Sequence, residues 1–494
     1  MQGNLARTSI HGVAWTLLRV LGQTGIGFGV GIYLARTLEI QDFGLMAIAM
    51  SLIGLSELIS GLGVEASLIQ RQVLSSRHLS VAFSMSLIMA AVLFIFFALL
   101  GWPLAKFFNQ PELAWMLPVL GLGQCFATAG MVPRAILRRR FDYKLLSKIE
   151  ISAYFLGYAL TSVILATLGF GVWSMVLATV LWFFLSCVLL FRAAKAGLRL
   201  AWFASEAREL LNFGVLITAK SVINYLAVSS SDFMIGKFLG AMGLGLYSRA
   251  HQLAYLPLQK IASVFSSVMF PIYASVQNDH RRLTEAYLKT VAAVSLLTIP
   301  PLAVTAMASE LVVGGLYGSK WLPAAPIFSV LCLAGMLVCI LHLAGALVEA
   351  TDNVLSEIKC QAMYFVILLV GFSIAVQYSL LAVAWVVVTG ALFLYLAMGH
   401  LALRILKARW ADFFLAQLLG VVIALVMAAV TALILPWLAG WGGARSAQLA
   451  ILIAFSVVFY LAALWLVPDR WVFGAKQLIV AKILKRRAAA NEAA

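Results

Sequence analysis

Apolar runs of about 20 residues recur from one end of this 494-residue chain to the other, and that recurrence decides its solvent. Lipid offers no hydrogen-bond partner to a bare backbone, so only helices and closed barrels cross it. Runs such as Leu87 to Leu100 do not alternate in polarity at every second residue, which argues against a barrel. The expected fold class is an all-α polytopic membrane protein of about fourteen transmembrane helices. They lie near 10–34, 43–63, 79–105, 113–133, 149–169, 172–191, 211–239, 244–272, 289–313, 324–349, 360–378, 381–403, 413–438 and 446–467. Composition agrees: hydrophobic residues make up 63% of the chain and charged residues 11%, too little polarity to coat a soluble protein of this size. The five cysteines fall inside spans or at a span end, so neither a disulfide framework nor a metal site is expected.

So apolar a chain nevertheless carries a net charge of +16. Taking alternate loops, one side collects 26 Lys and Arg residues and the other only Arg36, Lys106, Lys237, Lys320 and Arg445. Positively charged loops stay in the cytoplasm, so both termini are expected there, with an even number of spans between them. The N-terminal apolar stretch is interrupted by Arg19 and no small-residue cleavage site follows, so it reads as a retained first helix and not as a signal peptide. Three basic segments, 134–148, 192–210 and 476–487, are expected to lie on the cytoplasmic leaflet against anionic lipid, with no substrate role.

An offset of 201 residues lays the first helix pair over the seventh and eighth. Arg19 falls on Lys220, Gln23 on Asn224, Arg36 on Lys237, Leu38 on Leu239, Gly44 on Gly245 and Ala49 on Ala250, without a gap. Cation on cation and carboxamide on carboxamide in otherwise apolar segments indicate two parallel halves. The expected organisation is an N-lobe over 1–191, an interfacial linker over 192–210, a C-lobe over 211–403, an accessory helix pair over 404–467 and a basic tail over 468–494.

A charge at membrane depth costs about 2.5–3.5 kcal/mol on insertion scales, so it marks a bundle interior or a hydrated cavity. Six such residues stand out: Arg19, Glu57, Lys220, Asp232, Arg249 and Lys260. Gln23 and Asn224 lie one turn beyond Arg19 and Lys220 on the same helix faces. Arg249, Gln252, Gln259, Lys260, Ser263 and Ser267 recur at helical spacing and form a polar stripe interrupted by Pro257. Static pairing is one reading, with Arg19 held by Glu57 and Lys220 or Lys260 held by Asp232. Four cations against two carboxylates leave a positive excess, however, and a phosphate or pyrophosphate is the ligand that guanidinium and ammonium groups match best. The aromatic residues Trp15, Tyr225, His251, Tyr255 and Tyr273 on these helices offer faces on which sugar rings can stack. No phosphate-binding P-loop, HExxH or nucleophile-elbow motif is present, so no catalytic residues, cofactor or nucleic-acid partner are expected.

GVAWTLLRVLGQ (12–23), YLARTLEIQDFGLMAIA (33–49), GLGVEASLIQR (61–71), VPRAILRRRFDYK (132–144), SDFMIGKFLGAMGLGLYSRAHQLAYLPLQ (231–259), FPIYASVQNDHRRLTEAYLK (270–289) and KWLPAAPIF (320–328) resemble the Wzx-type polysaccharide flippases. These belong to the multidrug/oligosaccharidyl-lipid/polysaccharide exporter superfamily, and the block from Ser231 to Lys289 is similar to the colanic-acid, succinoglycan and xanthan branch. TLEIQDFG at 37–44 departs from the Gly-Pro turn that many relatives carry.

The resemblance implies a multi-pass protein of the bacterial inner membrane that flips undecaprenyl-pyrophosphate-linked oligosaccharides to the periplasmic leaflet by alternating access. Its implied partners are that lipid-linked substrate and membrane lipids, with a polysaccharide polymerase and a chain-length regulator as candidates. On this reading Arg19, Lys220, Arg249 and Lys260 engage the pyrophosphate, while Gln23, Asn224, Gln252 and Tyr255 engage the sugar. Asp232 and Glu57, taken as the only carboxylates inside spans, are the candidates for ion coupling. A multidrug or cation exporter and a non-transport subunit of a polymerase complex remain as alternatives.

Overall fold

The computed structural model describes residues 2–61, 67–68, 75–195, 200–205, 207, 222, 225–226 and 229–466. Within these, the side chains of 2–11, 13, 58–61, 256–264, 267 and 466 lie outside the description. Among the described residues there are sixteen α-helices and no strand. The chain divides into two compact units, residues 1–248 and 249–494.

The first unit holds α1 (Gln2–Thr37), α2 (Ile40–Gly61), α3 (Ser76–Phe108), α4 (Leu113–Ala129), α5 (Met131–Arg139) and α6 (Tyr143–Ala153). A π-turn over Tyr154–Leu160 joins α6 to α7 (Thr161–Thr167), and α8 (Trp173–Ala194) follows. Residues 229–238 and the opening turns of α9 (Gly240–Val276) complete this unit. The second unit continues α9 and adds α10 (His280–Met307), α11 (Ser309–Tyr317), α12 (Ala325–Ala350) and α13 (Val354–Ala375). It closes with α14 (Leu380–Leu406), α15 (Trp410–Gly440) and α16 (Arg445–Leu466).

Twelve helical stretches among the described residues are long and apolar enough to cross a membrane, and they fall one for one on the first six and last six expected spans. Of the seventh, 211–239, about half lies outside the described residues, and the eighth is α9. Large apolar side chains point outward: Leu99, Leu433 and Trp465 are 71%, 79% and 67% exposed. In lipid that orientation costs nothing, and helices are held together instead by close packing at small residues and by internal hydrogen bonds. A Cβ on Gly157 would lie 2.5 Å from the Trp182 Cα, which brings the π-turn flush against α8, and Gly420 seats α15 on the Ser295 backbone in the same way. Tyr460 Oη donates to the Leu296 carbonyl at 2.8 Å and Tyr395 Oη to Gln417 at 2.9 Å.

Two helix contacts in the first unit are reciprocal. A Cβ on Gly44 of α2 would stand 1.6 Å from the carbonyl oxygen of Ala241, and one on Gly245 would stand 2.2 Å from the carbonyl oxygen of Ile40. Under the offset of 201, Ile40 falls on Ala241 and Gly44 on Gly245, so each contact is the image of the other. Two helices approach this closely only where neither carries a side chain.

Two of the basic segments are more deeply engaged than leaflet contact requires. Arg139 Nη1 donates to the Leu68 carbonyl and Arg140 Nη1 to the Ala194 carbonyl, each at 2.9 Å, so these cations hold backbone carbonyls inside the first unit. The expected span 113–133 in fact extends to Arg139, and the next begins at Tyr143 and not at 149. In the 192–210 segment Trp202 is exposed, but Phe203 turns inward onto the cluster around Leu68, Val81 and Val132, with the Arg77 guanidinium 5.1 Å from its ring. Ser84 Oγ donates to the Ala201 carbonyl at 3.0 Å and accepts from its N–H at 3.1 Å, fastening the segment to α3.

Candidate functional site

The polar face of α1 is read out by α6 residue by residue. Gly12 lies under the Tyr143 ring, with a built Cβ 2.8 Å away, and Ser147 Oγ donates to the Trp15 carbonyl at 3.0 Å. Arg19 Nη1 then donates to Glu150 Oε2, Gln23 Nε2 donates to the Glu150 carbonyl at 3.1 Å, and Gly27 abuts the Tyr154 hydroxyl. Residue numbers rise together along both helices, so α1 and α6 run parallel, as they must if three spans separate them. Helical spacing explains the match, since Gly12, Thr16, Arg19, Gln23 and Gly27 share one stripe and Tyr143, Ser147, Glu150 and Tyr154 share another.

Glu150 is buried and receives a second cation: Arg134 Nε of α5 lies 3.3 Å from Glu150 Oε1. Side-chain exposure is 20% for Arg19, 24% for Arg134 and 10% for Glu150, so two guanidinium groups share one carboxylate well inside the helix bundle. The cluster is one positive charge in excess. One turn beyond Glu150 an aromatic platform begins. Tyr154 and Tyr158 stack with centroids 5.3 Å apart, and Trp182 of α8 meets Tyr154 edge-on at 5.0 Å. The π-turn that presents these rings is an irregularity of the kind often found at functional sites.

This geometry corrects the sequence reading in two places. Arg19 pairs with Glu150 and not with Glu57, and Glu57 and Asp232 are not the only carboxylates inside spans, because Glu150 lies within the crossing Tyr143–Thr167. Arg134 and the Tyr154, Tyr158 and Trp182 rings were also missed. The signal for Glu150 was present, as an acidic residue in a span, spaced three and four from Ser147 and Tyr154.

The other expected residues are placed as follows. Arg249 Nη1 donates to Gln252 Oε1 at 2.7 Å. Tyr255 is buried with its ring stacked on His251 at 4.3 Å, so one face of this sugar-contact candidate is covered. Tyr225 Oη donates to the Ser51 carbonyl at 2.9 Å. Lys220 and Asn224 lie outside the described residues, as does the side chain of Lys260.

Long helices with apolar outer faces define a polytopic membrane fold, and known structures agree. The fold matches that of "Lipid II flippase MurJ, inward closed conformation", with a TM-score of 0.74, 13% identity, and coverage of 94% of this chain and 100% of that one. A sequence profile described as "Polysaccharide biosynthesis protein" matches residues 33–326, and the chain belongs to that family. Among curated relatives, the lipopolysaccharide biosynthesis protein WzxC of Escherichia coli (strain K12) is 27% identical over 71% of this chain and 72% of its own length. The succinoglycan biosynthesis transport protein ExoT of Rhizobium meliloti (strain 1021) is 26% identical over 67% of this chain and 66% of its own.

Proposed function

We propose that this protein flips an undecaprenyl-pyrophosphate-linked oligosaccharide repeat unit from the cytoplasmic to the periplasmic leaflet of a bacterial inner membrane, for exopolysaccharide biosynthesis. Both termini face the cytoplasm in this reading, and the two halves alternate access while the polyprenyl tail stays in lipid. The observation that carries it is the cationic cluster on α1, α5 and α6, in which two guanidinium groups outnumber their one carboxylate. An excess cation inside a bundle is stabilised by an anionic ligand, and guanidinium groups are the side chains that grip phosphate oxygens in pairs. The family's association with polysaccharide biosynthesis, and the names of ExoT as a succinoglycan biosynthesis transport protein and MurJ as a Lipid II flippase, support a phosphate-linked saccharide as that ligand. Arg19, Lys220, Arg249 and Lys260 engage the pyrophosphate, and Gln23, Asn224, Gln252 and Tyr255 engage the sugar.

Replacing Arg19 with Gln stops polymer export while the protein accumulates normally. The fold tolerates the change because Glu150 keeps Arg134 as a partner. Lys220→Gln has the same effect, and full export by the double variant in a deletion strain, read against abundance in the membrane, contradicts the proposal. Ion coupling is carried by Asp232 and Glu57. Asp232→Asn and Glu57→Gln each lower transport in proteoliposomes and flatten its dependence on an imposed proton or sodium gradient. Unchanged gradient dependence in both removes these residues from the coupling step.

A further inference from the structure

Glu150 occupies the position that a phosphate would take between two guanidinium groups, and the geometry points to its role as a resident, exchangeable counter-anion of the substrate site. This inference rests on the reading that Arg19 meets the pyrophosphate. Arg19 reaches one carboxylate oxygen and Arg134 the other, so the two cations are already spaced for an anion with oxygens on two sides. Neither pairing is the two-pronged fork that holds an Arg and a carboxylate most firmly. Arg134 Nε, although buried and 3.3 Å from Glu150 Oε1, makes no hydrogen bond there, which leaves an aimed donor for a better-placed acceptor. A guanidinium carries five donors, so both arginines keep capacity for the several oxygens of a pyrophosphate. In the absence of substrate Glu150 bridges the two arginines and offsets one of their two charges; on binding, the pyrophosphate takes over both arginines and Glu150 gives way; on release, Glu150 returns and displaces it. Arg134, which sequence alone assigns to a leaflet-binding segment, thereby becomes a substrate-binding residue.

The test is binding of undecaprenyl pyrophosphate to the purified full-length protein in phosphatidylcholine nanodiscs, alongside export in cells. Glu150→Gln is expected to tighten binding at least tenfold and to slow export, because the displacing anion is gone, whereas Arg19→Gln and Arg134→Gln each weaken binding at least tenfold. Weakened binding in the arginine variants with unchanged or weaker binding in Glu150→Gln overturns the exchange and leaves the phosphate site standing. Unchanged binding in both arginine variants overturns the site and the exchange together. A measurement on the unmodified protein guards against misfolding of the variants. Undecaprenyl pyrophosphate should raise the labelling of Glu150 by a hydrophobic carbodiimide, read by mass spectrometry. Unchanged labelling, or an equal rise with phosphatidylglycerol in its place, overturns the proposal.

Discussion

Valine at Gly44 is expected to abolish polymer export and to lower the folded protein recovered from membranes, and valine at Gly245 is expected to do the same. Each glycine faces a backbone carbonyl at a distance where even a Cβ does not fit, 1.6 Å from Ala241 and 2.2 Å from Ile40. Overpacking in a well-packed interior ordinarily costs about 1–3 kcal/mol because side chains rotate away. A carbonyl inside a helix has no such freedom, so the cost here lies at the top of that range or above it. Because the two contacts are images under the repeat, the two variants should match in severity, and Gly25→Val, where nothing lies within 4 Å of a built Cβ, should leave export and thermal stability unchanged. Export at normal levels by Gly44→Val would remove the close approach from the account.

The second large effect is expected on truncating Glu150. Alanine there leaves Arg19 and Arg134 facing each other without their carboxylate, and breaking a buried ion pair from one side costs about 3–5 kcal/mol. Glu150→Ala should therefore lower the melting temperature in detergent far more than Arg19→Gln, after which one pair survives. Combining Glu150→Ala with Arg19→Gln should recover part of the loss, since residues sharing one network do not contribute additively. Strictly additive losses would mean that Glu150 and Arg19 are not energetically coupled.

Much of the fold was legible because lipid imposes a length. A helix that must bury its backbone across a bilayer announces itself as a run, and all twelve crossings among the described residues coincide with a run in the sequence. The close approach of two helices was legible for a different reason: Gly44 and Gly245 stand where backbones touch, and the offset of 201 that aligns them also aligns Arg19 with Lys220. Pairing was not legible. Arg19 and Glu150 are 131 residues apart, and nothing in the pattern of α1 says that α6, and not the neighbouring α2, lies against it. The boundary between loop and span misled for a related reason. Arg134, Arg139 and Arg140 read as a loop cluster because they are dense, yet two of them satisfy the backbone carbonyls of buried residues and the third serves Glu150. A charge count says little about which cations are already spoken for.

Reconstitution tests the central claim most directly. The purified protein is placed in liposomes that carry a fluorescent undecaprenyl-pyrophosphate-linked oligosaccharide, and the label exposed on the outer face is quenched over time. The account predicts that the unmodified protein renders nearly all of the labelled lipid accessible, that Arg19→Gln liposomes stay at the protein-free level, and that a labelled phosphatidylcholine is not moved. Equal movement of the saccharide lipid with and without the protein, or full movement by Arg19→Gln, would contradict it.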